Sequence, residues 1–165
     1  WQIKGVAPDV VAFGKKTQVC GIYASKRVDE VPDNVFHHSS RINSTWGGNL
    51  VDMVRCRKFI EIILAEKLGD NVAARGEELI QGLRGIAREK GNISNVRGVG
   101  SLVAFTLDSP ETRNAMIKAM RERELLVLPS GPQAIRFRLP LVVSAEEVNQ
   151  ALERTSEALS TLVGA

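Results

Sequence analysis

Pro8-Asp9-Val10-Val11-Ala12-Phe13-Gly14-Lys15 joins a short apolar run to a glycine and then to a lysine. Val10–Phe13 is β-compatible throughout and reads as a buried strand, stopped by Gly14. Cys20-Gly21-Ile22-Tyr23-Ala24 reads as the next strand, which leaves Lys15 in the turn between the two. Residues 27–48 then run polar and irregular through His37, His38, Asn43, Thr45 and the Gly47-Gly48 pair. A loop of that length is usually functional or packed on a partner. The first 48 residues hold too few strands for a sheet, so they are expected to be the end of something larger.

Downstream the period changes to that of helices. Leu50, Met53, Val54, Ile60, Ile63 and Leu64 follow three-to-four spacing and predict an amphipathic helix from Asn49 to near Gly69. Asp70 is the expected N-cap of a second helix with Val72, Leu79, Ile80 and Leu83 inward, stopped at Gly91. Val96–Leu107 carries a strand signal at Leu102-Val103-Ala104-Phe105, preceded by Gly98 and Gly100. Ser109-Pro110-Glu111 starts a helix, with proline at its first position. Leu125–Leu128 and Ala134–Arg138 read as strands around the Pro129–Pro132 turn. Ser144 and Glu147 form a capping box for a last helix with Val148, Ala151, Leu152, Leu159 and Leu162 inward. The C-terminal two-thirds is therefore expected to be a small α+β domain.

Composition excludes several classes. The 165 residues are 44% hydrophobic and 25% charged, as in an ordinary globular chain. The net charge of +3 comes from 22 basic and 19 acidic residues, interleaved as in Arg121-Glu122-Arg123-Glu124. A nucleic-acid surface needs clustering on one face, so none is expected. The longest apolar runs resemble Leu125-Leu126-Val127-Leu128, too short for a membrane span. Trp1-Gln2-Ile3-Lys4-Gly5 has no charged leader before an apolar run, so no signal peptide is expected. Cys20 and Cys56 lack metal spacing and suit a reducing, cytoplasmic setting.

Several motifs fail on inspection. Gly14-Lys15-Lys16-Thr17 is not a P-loop, since Asp9 stands where the first glycine belongs and Lys16 where Ser or Thr belongs. Gly98-Val99-Gly100 lacks the third glycine of a dinucleotide fingerprint. Adjacent His37 and His38 point to opposite faces of an extended segment, with no partner at ligand spacing, so no metal site is expected. No serine or cysteine sits in a nucleophile elbow.

Four segments, in order along the chain, carry a resemblance. Pro8–Lys15 resembles the segment of class III aminotransferases that ends in the cofactor-binding lysine. Ser44-Thr45-Trp46-Gly47-Gly48-Asn49, Val96-Arg97-Gly98-Val99-Gly100-Ser101-Leu102 and Ile135-Arg136-Phe137-Arg138-Leu139-Pro140-Leu141 are similar to later segments of that family. Within the class, Phe13–Gly21 with Asn43–Asn49 most resembles the members that act on the side-chain amine of L-lysine. Most members carry a glycine run after the lysine, where this chain has Lys16-Thr17-Gln18-Val19-Cys20.

The resemblance implies an α/β fold of type I. Residues 1–48 would close the large domain that binds pyridoxal 5'-phosphate, and residues 49–165 would form a small α+β domain with helix 49–68 as connector. It implies Lys15 as the catalytic, cofactor-holding amine, with Lys16 one position past the family's lysine. Thr45 would bind the cofactor phosphate, with Gly47 and Gly48 letting the backbone approach; in the family this threonine serves the other subunit, so a homodimer is implied. Arg136 would grip the carboxylate of the amino-acid or 2-oxo-acid substrate, and Asn43 is a further substrate contact. Strand alternation alone puts Arg136 and Arg138 on one face, and the motif position selects Arg136. Leu139 departs from the family's proline. The implied reaction moves the terminal amino group of L-lysine to 2-oxoglutarate. Ornithine, acetylornithine or 4-aminobutyrate as donor, or a non-catalytic remnant, are the alternatives. The family's other cofactor contacts lie upstream of its lysine segment, so the 165-residue chain alone is expected to be inactive.

Overall fold

The structure, a computed structural model, describes residues 2–45 and 48–163. Trp46 and Gly47 of the expected phosphate turn lie outside the described residues. The chain divides into two units, Trp1–Ala65 and Glu66–Ala165.

In the first unit, β1 (Val10–Phe13) pairs antiparallel with β2 (Gly21–Ala24), Val10 opposite Ala24 and Phe13 opposite Gly21. The Phe13 ring stacks on Tyr23 with centroids 4.7 Å apart. A side chain at position 21 would collide with that ring, so the residue facing Phe13 is glycine. The expected buried strand is a correction: β1 alternates exposed and half-buried positions, and Val10 is 52% exposed. The sheet here has only two strands, and among the described residues of this unit only Asn34 is buried. A lone hairpin has no second layer under which to hide its side chains.

Helix α1 (Leu50–Ala65) closes the unit, its start capped by Asn49, whose Oδ1 accepts the Val51 amide at 2.9 Å. None of its side chains is buried, although an inward stripe was expected. Its end also falls earlier than Gly69. Lys67 takes a left-handed backbone (φ 51) and its carbonyl accepts the amides of Asp70 and Asn71, so the next helix begins at Leu68 and Gly69 lies inside it.

The second unit is a four-stranded antiparallel sheet with three helices on one side. In chain order it comprises α2 (Leu68–Lys90), β3 (Ser94–Val99), β4 (Leu102–Thr106), α3 (Pro110–Glu122), β5 (Leu128–Ser130), β6 (Ala134–Arg138) and α4 (Ala145–Val163). The strand order is β3-β4-β6-β5. Val103 and Phe105 of β4 and Ile135 and Phe137 of β6 turn inward with period two. Leu79, Leu83, Met116, Met120, Val148 and Leu159 of the helices meet them in one core. Each such side chain contributes about 1.5–3 kcal/mol on leaving water.

The Val96–Leu107 stretch is a hairpin, with Gly100 at φ 55 in its turn. Gly76 of α2 lies so close to the Gly100 carbonyl that a Cβ there would collide with backbone. The Leu125–Leu128 strand is shifted. The Leu125 amide still bonds Met120 O at 2.9 Å, ending α3, so the ladder with β6 begins only at Leu128 opposite Arg136. The capping box is present, with the Glu147 amide donating to Ser144 Oγ at 3.1 Å and the Ser144 amide donating to Glu147 Oε2 at 2.7 Å.

Candidate active site

Lys15 stands one residue past β1, after Gly14, in the first position of a short 3-10 turn over Lys15–Thr17. Its φ is 61, in the left-handed region that costs a residue with a Cβ roughly 1–2 kcal/mol. The turn closes through the Gln18 amide on the Lys15 carbonyl at 3.1 Å, with Gln18 itself at φ 65. Two left-handed residues in four reverse the chain between β1 and β2. Gly14 fits the bend because a Cβ there would stand 2.9 Å from Cys20 Sγ. The Lys15 side chain is exposed and meets no carboxylate among the described residues.

Thr45 and Asn43 are both exposed in the polar loop of the same unit. Gly48 follows at φ 75, a conformation that favours glycine, and leads into the Asn49 cap of α1. An amine without a carboxylate partner suits an aldehyde, and a threonine hydroxyl suits a phosphate ester. Lys15 and Thr45 are thus of the donor types that an aldehyde and a phosphate ester take, each exposed in its own turn or loop.

Arg136 and Arg138 are in the second unit, both exposed on the face of β6 opposite Ile135 and Phe137. The period-two reading therefore holds in the structure. Arg97 shares that face, since it pairs with Ala104, which in turn pairs with Arg136.

The sequence reading did not find the framework that holds the loop after β2. Asp9 is its anchor: its carboxylate accepts from Arg27 Nη1 at 2.9 Å and from Ser25 Oγ at 3.1 Å, and its carbonyl from the Ser25 amide at 2.8 Å. Asn34 is buried and bonds Val28 O, Val31 O and the Phe36 amide, so it organises a stretch that looks irregular. The signal available was an asparagine among residues with no helical or strand period. His37 lies 3.6 Å from Asp29 and His38 contacts Asp33, so both histidines have carboxylate neighbours in the loop. Among the described residues no cluster could hold a metal ion.

Residues 1–159 match the family described as aminotransferase class-III. L-lysine-epsilon aminotransferase of Mycobacterium tuberculosis (strain ATCC 25618 / H37Rv) is 46% identical over 160 residues, covering 96% of this chain and 36% of that relative. The enzyme of the same name from Streptomyces clavuligerus is 43% identical over 164 residues, covering 98% of this chain and 36% of its own length. Lysine aminotransferase from M. tuberculosis in the internal aldimine form superimposes with a TM-score of 0.90 at 45% identity, over 98% of this chain and 38% of that one. The chain thus spans a little over a third of the relatives it matches. Family pattern, identity over nearly the whole chain and superposition agree, and the fold is that of a piece of a type I transferase. The chain belongs to the class III aminotransferases, a family that uses pyridoxal phosphate.

Proposed function

We propose that this chain is part of an aminotransferase that moves the terminal amino group of L-lysine to 2-oxoglutarate, giving a semialdehyde and glutamate. The observation that carries the reading is Lys15, held at φ 61 in the turn that follows β1 and Gly14, in a chain 46% identical to L-lysine-epsilon aminotransferase. Bound pyridoxal phosphate supplies an aldehyde that takes up amino groups and a ring that draws electrons from the substrate carbon.

Lys15 supplies the amine that fixes the cofactor, and after its release the same amine takes and returns the proton at the reacting carbon. Thr45 donates its hydroxyl to the cofactor phosphate, with Gly48 allowing close backbone approach. Arg136 forks the substrate carboxylate through two parallel N–H donors. Asn43 is a further polar contact to the substrate. Thr45 acts for the active site of a second copy, which makes the working unit a homodimer. Cys20 and Cys56 are free thiols, which supports a reducing compartment such as the cytoplasm. The 165 residues alone transfer no amino group, because they span 36% of the relatives' length and leave Lys15 exposed.

Borohydride reduction of the holoenzyme and peptide mapping test the reading. The cofactor label is expected on Lys15 and absent in Lys15→Ala, together with all transfer from lysine to 2-oxoglutarate. A label on Lys16, or none, overturns the assignment of Lys15. Faster transfer from ornithine, acetylornithine or 4-aminobutyrate than from lysine overturns the choice of donor.

A further inference from the structure

Asn34 differs from every other described residue of the first unit in being buried, at 7% exposure. Its side-chain Nδ2 donates to Val28 O at 3.1 Å and to Val31 O at 3.0 Å, and its Oδ1 accepts the Phe36 amide at 3.0 Å. Its own amide donates to Val31 O at 3.2 Å, and its carbonyl accepts the His37 amide at 3.1 Å. One side chain thus ties the 3-10 turn over Lys26–Glu30 to the chain that leaves it.

The ion pairs of the same stretch hold it less. Arg27 with Asp9, and His37 with Asp29 at 3.6 Å, join exposed side chains that water and salt screen. A buried amide that loses its partners has no water to replace them, so Asn34 carries the larger share of the order. Among the described residues, the side-chain hydrogen bonds of the loop end at His38 and begin again at Asn49, the cap of α1. Asn43 and Thr45 lie on the span between, so the two fixed ends set where their side chains can reach. The far end is a helix start capped by its own Asn49, and the near end is held by Asn34.

We propose that Asn34 is the positioning residue for Thr45: by fixing the entry of the loop it sets where the threonine hydroxyl meets the cofactor phosphate of the second copy. The inference rests on the aminotransferase reading and deepens it, since that reading names the hydroxyl but not what aims it.

Mixed dimers of the holoenzyme, assembled from two differently tagged chains, test it. One chain carries Lys15→Ala, so a single intact Lys15 remains. Cofactor affinity at that lysine is read from borohydride-trapped label against cofactor concentration. Asn34→Asp keeps the size of the side chain but turns its two donated bonds into repulsions. Placed on the Lys15→Ala chain, it raises the cofactor Kd at the intact lysine about five- to fiftyfold. Placed on the chain with the intact lysine, it changes that Kd less than about twofold. Amide hydrogen exchange of the cofactor-free variant quickens over residues 35–45 and is unchanged over β1 and β2. Asn34→Ser, a milder change, gives the same ordering with a smaller rise and replaces Asn34→Asp where that chain does not assemble. Equal effects in the two arrangements, no effect in either, or unchanged exchange over residues 35–45 overturns the inference and leaves the aminotransferase reading intact. Thr45→Ala is placed in the same two ways. If it leaves the other chain's lysine unaffected, the assignment of Thr45 to the second copy is overturned, and the inference with it.

Discussion

Glu147 reaches back to the start of its own helix, where its carboxylate accepts from the Ser144 amide at 2.7 Å and the Ser144 hydroxyl at 3.0 Å. The backbone bond first, and the hydroxyl bond after it, hold the Glu147 carboxyl below its ordinary 4.5. A carboxyl lowered in the folded state adds stability that is present above the unfolded value and lost as pH falls through the folded one. The cap of α4 is therefore expected to weaken below about pH 4.5. Thermal melts of the wild type and of Glu147→Gln should differ at neutral pH and converge in acid; a constant gap would refute the linkage. The box was legible in the sequence because its two members stand at fixed offsets from a helix start. The left-handed backbone of Lys15 was not legible, since lysine has no preference for that region and only the turn geometry imposes it. Asn34 escaped for a similar reason, because its three bonds go to backbone groups that no side-chain pattern marks.

Among the elements, α2 contains two glycines whose replacement separates propensity from packing. Alanine is better than glycine in a helix interior by about 1 kcal/mol. A Cβ at Gly85 meets nothing within 4 Å, so Gly85→Ala is expected to stabilise the protein by roughly that amount. At Gly76 the added Cβ runs into the Gly100 carbonyl, a backbone atom that cannot swing away, so Gly76→Ala is expected to destabilise by about 1–3 kcal/mol. Urea denaturation of the two variants reads both signs, and a stabilised Gly76→Ala would contradict the close approach. Helix existence and facing were readable from three-to-four spacing in α2 and α4, where the inward residues form the core, while α3 was readable from its Ser109-Pro110 start. Boundaries were less so. The α1–α2 break at Lys67 depends on one left-handed residue, and the start of β5 depends on where α3 releases Leu125.

At the scale of the whole molecule, the two units differ in what holds them. Every buried core residue between Leu79 and Leu159 belongs to the second unit, and its helices are tied by Lys90 Nζ to Ser156 O at 3.0 Å and by Arg154 to the Glu124 carbonyl at 3.0 Å. A segment of residues 66–165 has its own core and is expected to unfold in a single cooperative transition, while residues 1–65 alone should show none. Calorimetry of the two segments decides this, and a broad, non-cooperative second segment would refute it. The α+β character of the second unit was legible because period-two and period-3.6 stretches alternate cleanly within it. In the first unit the strands and the helix were legible from their apolar runs, but their burial was not, since this chain does not bury those patterns. Along α1 the aliphatic side chains Leu50, Val51, Val54, Ile60 and Leu64 are each more than half exposed. In solution such a helix makes the chain prone to self-association, which grows with protein concentration and is strengthened by sulfate and other salting-out ions.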